Sequence, residues 1–85
     1  MSWEVRVPKS VKKALASFPE DDYRRIMVAL REMEVDPWYG DIAKVGEKAH
    51  LWRRRIGNYR IFYTPWIKAR VIGIKDIERR TSKIY

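Results

Sequence analysis

Cysteine and glutamine are absent from this sequence, and asparagine and histidine occur once each, as Asn58 and His50. Without cysteine there is no disulfide framework and no thiolate metal site. One histidine cannot assemble a zinc site, so neither a metal nor any other cofactor is expected. No apolar run approaches transmembrane length, and none at the N-terminus resembles a signal peptide. The expectation is a cytoplasmic protein that makes no membrane contact. Few amide side chains in a chain that is 35% charged lean toward a thermophilic source.

What is present is a periodic apolar pattern and an uneven charge. At 85 residues, 46% of them hydrophobic, the sequence reads as one domain, 1–85, near the lower limit for a self-sufficient core. Residues 1–50 carry nine Lys/Arg and nine Asp/Glu and are neutral. Residues 51–85 carry ten Lys/Arg and two acids, which is the whole net charge of +8. So concentrated a field attracts polyanions. The bland alternative is a solvated face on a basic protein.

Residues 2–7 alternate, with Trp3, Val5 and Val7 on one side and Glu4 and Arg6 on the other, as a half-buried strand does. Pro8 ends it. Val11, Ala14, Leu15 and Phe18 follow at helical spacing, with Lys12 and Lys13 outward, until Pro19. A second helix opens on Glu20, Asp21 and Asp22, carboxylates suited to the positive end of a helix dipole. Its stripe of Tyr23, Ile26, Met27, Leu30 and Met33 reads as core, and Asp36-Pro37 stops it. Residues 38–48 read as a loop carrying Gly40 and Lys44-Val45-Gly46. Residues 70–76 form a last strand around Val71, Ile72 and Ile74, in which Gly73 marks a bulge or a close approach. Beyond Ile77 the pattern gives way to a polar tail.

Between these lies residues 51–63, LWRRRIGNYRIFY, a β-hairpin turning at Gly57-Asn58. It holds Arg53, Arg54, Arg55 and Arg60. Four guanidinium groups on one short hairpin repel each other and are kept where something anionic binds. Alternation sets Trp52, Arg54 and Ile56 against Leu51, Arg53 and Arg55, so Arg54 shares the apolar face. Its stem would pack while its head snorkels to an edge. Trp52 reads as core, and Trp38 and Trp66 as caps over the sheet's end or as platforms for a stacked base. The fold class is α+β in the order β-α-α-β-β-β, with a helical hairpin packed on one face of a small, mainly antiparallel twisted sheet.

The hairpin, followed by a hydrophobic strand and then ERRTSKIY, resembles the RelE/ParE superfamily of type II toxins, and within it the RelE-like messenger-RNA interferases, archaeal members included. The matching positions are Arg53, Arg55, Gly57, Tyr59 and Arg60, then Arg79 and Arg80, then Tyr85. The resemblance implies metal-independent cleavage of messenger RNA in the ribosomal A site, by attack of a 2′-OH on the adjacent phosphorus. It also implies a cognate antitoxin, joined with the toxin in a hetero-oligomer.

By the same resemblance Arg60 and Arg79 bracket the scissile phosphate, Arg53 and Arg55 line the approach, and Tyr85 is the catalytic acid or base. Arg54, Arg80 and Lys83 are further candidate RNA contacts, and Lys44 is either another or a solvated loop lysine. Bidentate arginine suits phosphate oxygens. Relatives often place lysine where this chain has Leu51 or Arg53, and histidine where it has Glu78. Glu78 is either a base or a salt-bridge partner of Arg80; His50 is either catalytic or incidental. Two other readings stay open: a ParE-type gyrase inhibitor without nuclease activity, and an inactive nucleic-acid-binding module.

Overall fold

The computed structural model describes residues 2–46 and 50–80. The chain runs β1 (Glu4–Arg6), α1 (Lys9–Ala16), α2 (Glu20–Val35), β2 (Ile42–Lys44), β3 (Trp52–Ile56), β4 (Tyr59–Trp66) and β5 (Val71–Arg79). Five strands form one sheet in the order β1-β5-β4-β3-β2. Every pairing is antiparallel except β1 with β5. The two helices cover one face and the other is open.

Both helices start where a proline precedes them and neither has a side-chain N-cap. The Pro8 carbonyl accepts from the Val11 and Lys12 N–H groups, and the Pro19 carbonyl from that of Tyr23. At the end of α2 the Asp36 carboxylate accepts from the Trp38 N–H at 2.9 Å, turning the chain toward β2. Val11 and Leu15 from α1 and Ile26, Ala29, Leu30 and Met33 from α2 then bury against the sheet. The sheet answers with Tyr59, Ile61, Tyr63, Ile72, Ile74 and Ile77. Full burial of each large side chain contributes about 1.5–3 kcal/mol, which is how so small a chain closes a core.

The structure departs from the sequence reading in four places. The supposed loop at 38–48 contains β2, a three-residue edge strand on β3, too short to show alternation. Tyr23 lies at the margin of the α2 stripe and is exposed rather than core. Gly73 is not the bulge. The bulge lies where Phe62 pairs with Asp76 and Tyr63 with Ile74, leaving Lys75 as the extra residue of β5. The last strand also runs on to Arg79, past the point where the apolar pattern of the sequence gives way.

Tyr63 ties the two layers together. Its ring is fully buried and its hydroxyl donates to the Pro37 carbonyl at 2.7 Å. Burial pushes the phenol up to about 12. The native state therefore keeps a proton that the unfolded chain releases from about pH 10. This contribution is intact below pH ~10 and is lost as pH rises through the native value of about 12. Tyr63→Phe is expected to cost about 1–2 kcal/mol at neutral pH by orphaning the carbonyl. Its urea midpoint should also fall less than the wild type's between pH ~8 and ~11.

Candidate nucleic-acid interface

The arginines reach the open face through strand alternation around a tight turn. Gly57 takes φ 57°, the left-handed value that a two-residue hairpin loop demands of its first residue. The strands then pair Arg53 with Phe62, Arg55 with Arg60 and Arg60 with Glu78. All of these stand on the face away from the helices. Arg55 and Arg60 are thus directly opposed, a destabilising arrangement for like charges. One carboxylate tempers it. Asp41 binds the Arg55 guanidinium at 3.1 Å and its backbone carbonyl accepts the Arg55 N–H at 2.9 Å. Glu78 sits across from Arg60.

Arg60 is half-buried, and its Nε is enclosed without a hydrogen-bond partner among the described residues. An unmet buried donor costs about 1–3 kcal/mol, a penalty that an arriving phosphate could relieve by drawing the side chain over.

Arg79, expected to bracket the phosphate with Arg60, stands on the opposite face of the sheet from it. The extra residue Lys75 shifts the alternation of β5 by one, so Ile77 and Arg79 face the helices while Glu78 and Arg80 face outward. Arg79 pairs with Tyr59, and its guanidinium lies 5.9 Å from that ring. Tyr59 belongs to the covered side: its hydroxyl donates to Asp22 at 2.7 Å and its ring packs 4.8 Å from Phe18. Burial raises the Tyr59 phenol above its ordinary value, the bond to Asp22 adds to this, and Arg79 and Arg25 oppose it. Arg80 takes the outward position instead, its N–H donating to the Asn58 carbonyl and continuing the ladder.

Arg54, expected to contact RNA, is turned inward. Its guanidinium is buried under α2, donating to the Ala29 carbonyl at 3.2 Å and to Glu32 at 2.5 Å, and it lies 5.3 Å from the Tyr39 ring. Facing the core side of β3, the head reaches α2 and not solvent. Lys44 pairs with Trp52, which places it on the covered face of the edge strand, away from Arg53 and Arg60. Glu78 enters no ion pair among the described residues, so its expected bridge to Arg80 does not form. Trp38 meets Trp52 edge-on at 5.2 Å and caps the sheet's end. Lys83 and Tyr85 lie outside the described residues.

The structure therefore groups Arg53, Arg55, Arg60 and Arg80. Asp41, the partner of Arg55, escapes a reading of the sequence because a lone aspartate in a glycine-flanked segment carries no signal of its own.

No family model matches the chain, and no curated protein sequence does. Solved structures do. The archaeal RelE–RelB complex from Pyrococcus horikoshii OT3 contains a chain 32% identical, with a TM-score of 0.84 over 98% of this chain and 100% of that one. This chain belongs to the RelE family of toxins. A RelBE toxin–antitoxin complex from Mycobacterium tuberculosis matches at a TM-score of 0.83 and 16% identity, over 94% of this chain and 100% of that one. The isolated Escherichia coli RelE toxin matches at 0.81 and 11%, over 96% and 88%. At such identities these two speak for the RelE fold alone. Among the described residues, no helix of this RelE chain is long and apolar enough to cross a membrane.

Proposed function

We propose that this chain is an endoribonuclease toxin that cleaves messenger RNA in the ribosomal A site without a metal and is held inactive by a cognate antitoxin. The observation that carries the reading is the gathering of Arg53, Arg55, Arg60 and Arg80 on the uncovered face of a RelE sheet. Attack of a 2′-OH on phosphorus builds charge on the equatorial oxygens. Cations already fixed toward that charge need no reorganisation when it develops. Arg60, anchored in the sheet surface, is the central ligand of the scissile phosphate, and Arg53 and Arg80 flank it.

Tyr85 is the proposed acid or base. A free phenol near pKa ~10 is a poor base at neutral pH, so neighbouring cations must depress it. The antitoxin is proposed as an acidic segment that orders as it covers the basic face, which fits RelE partners that crystallise as RelE–RelB complexes.

The test is toeprinting on programmed ribosomes with EDTA present, with Arg79→Ala and Arg80→Ala alongside the wild type. Cuts within the A-site codon ending in a 2′,3′-cyclic phosphate are expected. Arg80→Ala should lose about tenfold or more in rate, and Arg79→Ala clearly less. The reverse order would show that Arg79 swings to the open face. An absence of cuts from folded protein would redirect attention to gyrase supercoiling.

A further inference from the structure

The open face does not end at the arginines. Along β4 the side chains on that face are Arg60, Phe62, Thr64 and Trp66. At about 3.3 Å per residue, Trp66 stands roughly 20 Å from Arg60 on the same surface. Its setting differs from that of Trp38, which is spent on Trp52. Trp66 is 51% exposed, and the positions beneath it, Thr64 and Val71, are buried. Gly73 lies beside it, and a Cβ there would sit at ordinary van der Waals distance, 3.5 Å, from the indole Nε1.

The second half of the arrangement is His50. Its ring stacks on Trp66 at 6.3 Å between centroids and 27° between planes. The backbone there is at φ 78°, a left-handed conformation uncommon outside glycine. Such a conformation is held at a cost, and here it goes with an imidazole set against the indole of an exposed strand end. Ile67, next in the chain, is also exposed.

We infer that Trp66 and His50 form a stacking subsite for an unpaired nucleobase, a few nucleotides along the strand whose phosphate lies at Arg60. The inference rests on the RNA-cleaving reading of the arginine face. A cationic patch and an exposed aromatic platform on one surface are what proteins use to hold single-stranded RNA, because every base has a π-face and every linkage a charge. A stacked base at this distance fixes the register of the strand over Arg60 and keeps its 2′-OH presented, and it does so without reading sequence. An apolar protein segment is the competing occupant. The basic patch on the same face of the sheet favours RNA.

The probe is a single-stranded RNA of about 12 nucleotides, 2′-O-methylated so that it cannot be cut, with a duplex of the same length as control. Trp66→Leu in the full chain is expected to weaken single-strand binding about tenfold and leave duplex binding unchanged, while Trp66→Phe retains most of the affinity. The slope of log Kd against log salt should be unaltered in Trp66→Leu. In Arg60→Ala it should fall by roughly 0.7 for each phosphate no longer neutralised. A merely structural role for Trp66 would weaken both RNAs together and overturn the subsite. Equal single-strand affinity of Trp66→Leu and wild type would overturn it too, while salt-dependent binding kept the RNA reading standing. Failure of the wild type to bind either RNA would remove both.

Discussion

Arg60→Ala is expected to slow cleavage of A-site messenger RNA by about 10²–10³-fold while leaving the fold as stable as wild type or slightly more so. The rate effect follows from removing one preorganised donor aimed at transition-state charge. The stability effect follows from the neighbours. Arg60 is opposed by Arg55 across the hairpin, and its Nε has no partner among the described residues, so its loss relieves a like-charge contact and an unmet donor. A residue that harms catalysis when removed but not stability is kept for what it binds. Arg60→Lys should recover part of the rate, since an ammonium restores charge but not the planar, two-nitrogen contact. Single-turnover cleavage on programmed ribosomes, with urea unfolding of the same preparations, measures both quantities. Wild-type rates from Arg60→Ala would place the scissile phosphate elsewhere on the sheet.

Glu32→Ala is expected to be the most damaging single change outside the apolar core, and Arg54→Met to be far milder. The Arg54 guanidinium is enclosed beneath α2, with Glu32 as its only carboxylate among the described residues. Deleting Glu32 leaves a buried cation with one backbone carbonyl. Breaking a fully buried pair costs about 3–5 kcal/mol. Glu32 keeps 39% of its side chain exposed, so water can partly replace it, and about 2–3 kcal/mol is the expected loss. In a domain of this size that lowers the melting temperature by roughly 10–20 °C. Arg54→Met removes the charge together with its need for a partner and keeps an unbranched apolar stem, so the loss should stay below about 1.5 kcal/mol. Gly40 belongs to the same corner: at φ 92° its Cβ would sit 2.9 Å from the Arg54 Nε. Equal losses in Glu32→Ala and Arg54→Met would show that packing of the stem, not pairing of the charge, holds β3 to α2.

Much of this is legible in the sequence because the periods are clean. Pro8, Pro19 and Asp36-Pro37 bound the helices closely, and Gly57 marks the hairpin with its two faces correctly sorted. What cannot be read are features set by strand partners. Three residues, Ile42–Lys44, become a strand only because β3 offers an edge. Lys75 and Asp76 together look like the end of alternation, whereas Lys75 is a bulge after which alternation resumes with its sides exchanged. That exchange decides which of Arg79 and Arg80 stands beside Arg60. Alternation correctly puts Arg54 on the apolar face, but a carboxylate 22 residues upstream, on α2, has no signature in the chain.

The run Arg53-Arg54-Arg55 also acts as a proofreader of strand alignment. If β3 slid by one position against β4, Arg54 would leave Glu32 and Ala29 for solvent, and Arg53 and Arg55 would be driven under α2, where one carboxylate cannot serve two guanidinium groups. An apolar strand would tolerate such a slip at modest cost, but this one would bury an unpaired charge. Single-residue insertions or deletions in the hairpin should therefore be excluded more strictly than its surface position suggests. The same run that sets Arg53 and Arg55 on the open face forbids its misassembly.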